Sequence, residues 1–132
     1  MDYLCDTNIL SEAMRPRPKE ELVLWLGKLE KIYLSVITIE EIYSGLAYKD
    51  AHKQQDWFEK FLQHRVEILP ISTAIAKCCG EMRGQFRKAG KIRTQADLLI
   101  AATAFEHHLI LATRNIKDFE DSQIELFNPF TN

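Results

Sequence analysis

Four short apolar runs punctuate the chain, at residues 3–5, 32–36, 66–71 and 109–112. Each is nearly continuous instead of alternating, as expected for strands of a parallel sheet covered by helices on both faces. They are predicted strands, and residues 124–127 form a fifth candidate at a sheet edge. Between them the hydrophobic period lengthens to that of a helix. Leu22, Trp25, Leu26 and Leu29 follow the i, i+3, i+4, i+7 pattern, after Pro16 and Pro18, which would close a short helix around residues 8–14. Ile39, Ile42, Tyr43 and Leu46 repeat the pattern, as do Trp57, Phe58, Phe61 and Leu62. Ile75, Cys79, Met82 and Phe86 form another stripe, and Ile100, Ala101, Ala104 and Phe105 the last. These stripes are core candidates, with a share left exposed.

Strands alternating with helices predict an α/β architecture with right-handed crossovers and a mainly parallel sheet of four or five strands. Ligands in such sheets bind beyond the carboxyl ends of the strands, so the polar residues after each apolar run become the candidates for chemistry. The length of 132 residues and the absence of a linker-like stretch predict one domain over 1–132. With 46% hydrophobic and 27% charged residues, the composition excludes a disordered or collagen-like chain. No apolar run is long enough to span a bilayer, and the start lacks a secretory pattern, so a cytoplasmic location is expected. Cys5, Cys78 and Cys79 have no metal-type spacing and read as reduced, buried small hydrophobes. His107 and His108 suit a helix C-terminus, and no histidine forms a zinc-like pair with a carboxylate.

Several acids stand at the expected strand ends. Asp6 follows the first apolar run and is either a helix cap or a site carboxylate. Asp97 heads the stripe through Ile100, Ala101 and Ala104, where an unpaired charge would be costly; Thr94-Gln95-Ala96-Asp97 also fits a capping box. Glu40 and Glu41 open the helix after the second run. Glu41 shares a face with Gly45, whose presence in a helix suggests close approach by a neighbouring element, although either glutamate could simply favour a helix N-terminus. Past the fourth run, Thr113, Asn115 and Asp118 supply a hydroxyl, an amide and a carboxylate, with Asp121 close by and a solvated turn as the plainer explanation. Gathered at one sheet edge, such carboxylates would repel one another. A hard divalent cation with oxygen ligands, Mg²⁺ or Mn²⁺, removes that conflict.

Four segments in order then carry a family resemblance: Leu4-Cys5-Asp6-Thr7-Asn8-Ile9-Leu10, Ser35-Val36-Ile37-Thr38-Ile39-Glu40-Glu41-Ile42-Tyr43-Ser44-Gly45, Asp97-Leu98-Leu99-Ile100-Ala101-Ala102 and Thr113-Arg114-Asn115-Ile116-Lys117-Asp118-Phe119. Over nearly the whole chain they resemble PIN-domain toxins of the VapC type. The resemblance implies a PIN-like three-layer α/β/α fold. It also implies a metal-dependent endoribonuclease, usually the toxin of a bacterial toxin–antitoxin pair. Asp6, Glu41, Asp97 and Asp118 match the acidic positions, and Thr7 and Thr113 match polar positions beside them. Cys5, Gln95 and Ala96 are modest variations that remove no acid, and the last acidic position varies in the family, so Asp118 and Asn115 compete for it. An antitoxin bound in a groove between N-terminal helices, and a homodimer or toxin–antitoxin hetero-oligomer, are further implications.

In this reading Asp6 and Asp97 hold Mg²⁺, while Glu41 and Asp118 act directly or through water. Arg83, Arg87, Lys88, Lys91 and Arg93, clustered before Asp97, are candidates for RNA phosphate contacts or simply a solvated helix end. The net charge of −2 is no obstacle, because with four acids given to a metal the 17 Lys and Arg outnumber what is left of the 19 Asp and Glu. Two rivals stand beside this reading: a PIN-like nuclease of RNA processing outside a toxin system, and a non-catalytic interaction module whose acids are caps. A dehalogenase-like phosphatase would want an acid at position 8, which is Asn8.

Overall fold

The computed structural model describes residues 1–131. The chain runs β1 (Tyr3–Cys5), α1 (Thr7–Ala13), α2 (Glu20–Lys28), β2 (Ile32–Ser35), α3 (Val36–Lys49), α4 (His52–Leu62), β3 (Val66–Leu69), α5 (Thr73–Lys88), α6 (Gln95–Glu106) and β4 (Ile110–Ala112). A single 3₁₀ turn (Ile116–Asp118) and the short β5 (Leu126–Phe127) complete it. The five strands form one sheet in the order β3-β2-β1-β4-β5, and every pairing is parallel. The expected strands are therefore all present, and the fifth occupies an edge.

Period-two alternation decides which face each strand residue serves. Leu4 and Leu111 turn to one side with Ile100, Ala101 and Ala104 of α6, while Cys5 and Ala112 turn to the other with Ile9, Leu10, Leu22, Ile42 and Phe58. Helices α1 to α4 thus cover one face. Helix α6 covers the other, and α5 packs outside it through Ile75, Cys79 and Phe86 against Leu98 and Ala102. This is a three-layer α/β/α arrangement with an apolar core on each side of the sheet.

The strand order creates one place where connections diverge. From β1 the chain proceeds through β2 to β3 at one edge, then crosses by α5 and α6 to β4 on the opposite flank of β1. Beyond the carboxyl ends of β1 and β4 the connections part in opposite directions and leave a crevice, the usual ligand position in open parallel sheets. Registers Tyr3 to Ile110, Leu4 to Leu111 and Cys5 to Ala112 bring Asp6 and Thr113, the next residues on each strand, side by side.

Two local expectations shift. Helix α3 begins at Val36, directly after the strand, because Ser35 is both the last residue of β2 and the cap whose Oγ accepts the Ile37 N–H at 3.1 Å. Glu40 and Glu41 therefore lie in the second turn and do not open the helix. Gly45 is exposed, and a side-chain carbon placed on it meets nothing within 4 Å. No close approach explains this glycine. Elsewhere, Trp57 is 40% exposed although its stripe partner Phe58 is fully buried. His107 caps the C-terminus of α6, as its sequence position suggests.

Candidate active site

Asp6 is placed by β1 and held by α1. Its backbone N–H donates to the Ala112 carbonyl at 3.1 Å, continuing the β1–β4 ladder. Its Oδ1 accepts the Ile9 N–H at 3.1 Å as the N-cap of α1, and Oδ2 accepts the Thr113 hydroxyl at 2.6 Å. Asp6 is thus a helix cap, and that role does not exclude one as a site carboxylate. Burial drives its pKa from 3.8 up to about 6; the Thr113 and Ile9 hydrogen bonds oppose the rise, while the nearby charge of Asp97 adds to it.

A second hydrogen-bonded group lies alongside. The Thr7 hydroxyl donates to Glu41 Oε1 at 2.6 Å, and its oxygen lies 3.1 Å from Thr38 Oγ1. A hydroxyl has one proton, and the short contact to the carboxylate claims it, so Thr38 supplies the proton between the two threonines. Thr38 is fully buried and stands one helical turn before Glu41. Nothing in the local hydrophobic pattern marks Thr38 as a site residue, although the Thr38 to Glu41 spacing puts both on one face of a helix.

Asp97 lies in the first turn of α6, where its N–H donates to Oγ1 of the cap residue Thr94 at 3.1 Å. The capping half of the sequence reading is correct. The expectation that Asp97 is aligned with a buried face is not: the side chain is exposed, in the first turn of a helix that is covered on nearly all sides from Leu98 to Ala104. Thr113 is fully buried and also accepts the Asn115 N–H at 3.0 Å, so one hydroxyl links Asp6 to the following loop. Asn115 itself is exposed. Asp118 ends the 3₁₀ turn half-buried, with its backbone carbonyl accepting Arg93 Nε at 2.9 Å.

The basic candidates divide. Arg83, Arg87 and Lys88 are exposed along the last turns of α5 and take part in no ion pair among the described residues. Lys91 pairs with Asp121, and Arg93 bonds the carbonyls of Asp118 and Ile92. One charged residue went unremarked in the sequence: Glu12 of α1 is only 6% exposed. It accepts the Lys19 N–H at 3.2 Å and lies 3.6 Å from Arg15 and 3.9 Å from Arg114, whose guanidinium sits 3.9 Å from the centre of the Phe130 ring. These contacts tie α1 to the loop that carries Thr113. In the sequence, Glu12 reads as one more polar helix residue.

Among the described residues, no three acidic, imidazole or thiol groups converge into a ready cage for a metal. Mg²⁺ does not need one, since it keeps several waters and is commonly held by one or two carboxylates. Asp6 and Asp97, both oxygen donors with mutually unfavourable charges, fit such an ion. The Cys5 thiol is buried and pushed far above its ordinary pKa by burial, so it stays protonated and takes no part as a ligand. A cavity of about 870 Å³ between α5 and residues 121–124 is lined by none of the four acids and is not this site.

A parallel α/β/α sheet with Asp6 and Thr113 side by side beyond the ends of β1 and β4, and Asp97 near enough for its charge to act on Asp6, defines a class of α/β proteins with an acidic crevice at the sheet's carboxyl edge. The chain belongs to the PIN domain family, whose profile matches residues 3–122. It is 36% identical to Toxin FitB of Neisseria gonorrhoeae over 96% of this chain and 97% of that protein. To VapC ribonuclease Y4jK of Sinorhizobium fredii it is 32% identical, over 95% of each. Among solved structures it is similar to VapBC2 from Rickettsia felis bound to a DNA fragment from their promoter. That similarity has a TM-score of 0.87 at 31% identity and covers 97% of this chain and 98% of that one. No described helix is long and apolar enough to cross a membrane.

Proposed function

We propose that the protein is a divalent-metal-dependent endoribonuclease acting as the toxin of a toxin–antitoxin pair. Its site is Asp6, Asp97, Glu41 and Asp118, with Thr7, Thr38 and Thr113 in support. One observation carries the reading: Asp6 is a carboxylate at a strand end whose burial and acidic neighbour disfavour its charge, and the Thr113 hydroxyl with the backbone N–H groups of Ile9 and Asn8 offset them only in part. A buried charge opposed in this way is stabilised by a cation.

Asp6 and Asp97 are the direct ligands in this reading, with Mg²⁺ or Mn²⁺ as the ion. Glu41, fixed by the Thr7 hydroxyl, and Asp118 orient its water shell. When bound, the ion neutralises a phosphodiester oxygen and makes a bound water more acidic. Thr113 keeps the Asp6 carboxylate in one orientation, with Oδ2 on the hydroxyl and Oδ1 on the helix cap. Because water is the nucleophile and the ribose 2′-hydroxyl is not required, the products carry 5′-phosphate and 3′-hydroxyl ends. The antitoxin partner is supported by the relatives named FitB and VapC and by the Rickettsia felis structure of VapBC2. Val23 and Leu24 of α2, 46% and 56% exposed, offer such a partner apolar surface among the N-terminal helices.

The test uses purified protein and a mixed RNA substrate. Cleavage should require Mg²⁺ or Mn²⁺, stop with EDTA, and fall by about 10²-fold or more in Asp6→Asn and Asp97→Asn, in line with loss of a metal-assisted step. Equal activity in wild type and both variants would sink the assignment.

A further inference from the structure

We propose that Arg93 is a positioning residue that sets Asp118 relative to Asp97. The proposal rests on the assignment of both acids to the site above. Asp97 belongs to the first turn of α6, whereas Asp118 ends the 3₁₀ turn after β4. Their separation is decided where those segments meet, and the Arg93 side chain spans that meeting. Its Nε donates to the backbone carbonyl of Asp118 itself at 2.9 Å, and its Nη1 donates to the Ile92 carbonyl at 3.0 Å. The guanidinium also lies over the Phe86 ring, 5.2 Å from its centre. The Phe86 carbonyl in turn accepts the Lys91 N–H at 2.8 Å, so the end of α5, the segment leading into α6 and the Asp118 turn are joined through one side chain.

Two further contacts limit how the turn can move. Phe119, directly after Asp118, is 5% exposed and packs in the core beside Ile124. Outside, the Lys91 ammonium pairs with Asp121. The backbone on one side of Asp118 is thus anchored by apolar burial, and the Asp118 peptide is held by Arg93. The planar fork of arginine suits an arrangement with two carbonyls and an aromatic face, for which lysine is a partial substitute. Losing the bond leaves the Asp118–Phe119 peptide held by Phe119 alone, through its N–H to the Ile116 carbonyl at 3.0 Å and its burial, and this looser tether lets the Asp118 carboxylate shift without touching RNA.

Metal binding in the absence of RNA separates this role from a phosphate contact. Mn²⁺ affinity would be measured on full-length wild type, Arg93→Ala, Arg93→Lys and Asp6→Asn by the electron paramagnetic resonance of free Mn²⁺. Hydrogen exchange of the amides from Ile116 to Asp121 and steady-state RNA cleavage would accompany it. Arg93→Ala should weaken Mn²⁺ binding and lower kcat by roughly tenfold, as loss of support to a group that orders the ion's outer shell does, with little change in KM. The amides should exchange faster, and Arg93→Lys should recover part of each effect. Unchanged Mn²⁺ affinity with a raised KM would overturn positioning in favour of phosphate contact. If Arg93→Ala does not fold, Arg93→Lys and Lys91→Ala decide: both should shift Mn²⁺ affinity in the same direction to a smaller degree, and wild-type affinity in both overturns the proposal. Loss of Mn²⁺ binding in Asp6→Asn alone would leave the site standing and remove the clamp. Wild-type binding in Asp6→Asn would mean that the site assignment has failed and the clamp with it.

Discussion

In the proposed site Asp6 answers two opposed demands, since an ion is held best by a charged carboxylate and folding without the ion favours a neutral one. Its pKa, raised from 3.8 to about 6, means that below 3.8 the group is protonated in both folded and unfolded chains and costs nothing. Between those values the unfolded chain releases its proton first, so stability falls as pH rises, and above about 6 the penalty is complete. A shift of that size corresponds to on the order of 3 kcal/mol at most. In EDTA, the stability of Asp6→Asn relative to wild type in urea unfolding should therefore rise by about 1–3 kcal/mol from pH 4 to pH 7.5, on top of a pH-independent cost for the lost acceptor of the Thr113 hydroxyl. A difference that stays constant between those pH values would contradict the electrostatic account. At this scale the sequence exposed Asp6, Glu41 and Thr113 because each sits just past an apolar run or on a marked helix face. Thr38 and Glu12 stayed hidden, because burial of a polar side chain leaves no mark in local pattern when its partners come from distant segments.

Elements were legible wherever periodicity was strong and less so at their ends. The strands at residues 3–5 and 32–35 lie where their apolar runs lie, but β3 stops at Leu69 and β4 starts at Ile110, inside longer apolar stretches. Helix α6 shows why a stripe can mislead: Leu98 and Ile100 to Ala104 are all buried, so the helix is covered on nearly every side and its apparent stripe says little about where Asp97 points. Gly45 is the clearest correction of an element-scale inference. Since nothing approaches its missing side chain, Gly45→Ala should raise stability by about 0.5–1 kcal/mol, the ordinary gain in an exposed helix interior, measured as an increase in Tm. Destabilisation there would revive the idea of a tight contact.

Across the whole molecule, Asp6 and Asp97 oppose one another at the crevice, while Arg83, Arg87 and Lys88 stand exposed on α5. Arg87 and Lys88 stand in the last turn of that helix, where positive charge also suits the helix dipole, and the structure gives neither an ion-pair partner among the described residues. If they meet RNA backbone, the double variant Arg87→Ala with Lys88→Ala should weaken RNA binding in Ca²⁺ and reduce the slope of log affinity against log salt by about 1 to 2, while Mn²⁺ affinity stays at the wild-type value. An unchanged salt slope would assign these bases to solvation of the helix end. Lys91 and Arg93, adjacent in sequence to that cluster, have a different setting because Asp121 and the Asp118 carbonyl engage them. Equal charge in one basic run therefore does not mean equal availability.

The sequence by itself determined the alternation of strands and helices, the parallel sheet and the strand-end positions of Asp6 and Thr113, because hydrophobic periodicity and chain direction are local properties. With the family's four motifs in order, it also named Asp6, Glu41, Asp97 and Asp118 as the candidate acids. Only the tertiary structure decided that β4 lies beside β1, which hydrogen bond each threonine makes, that Asp97 is exposed, and that Arg93 is tied to the Asp118 peptide. Those outcomes depend on contacts between residues up to 107 positions apart, as in the Thr113 to Asp6 bond, and packing alone selects such pairs from the many that the sequence allows.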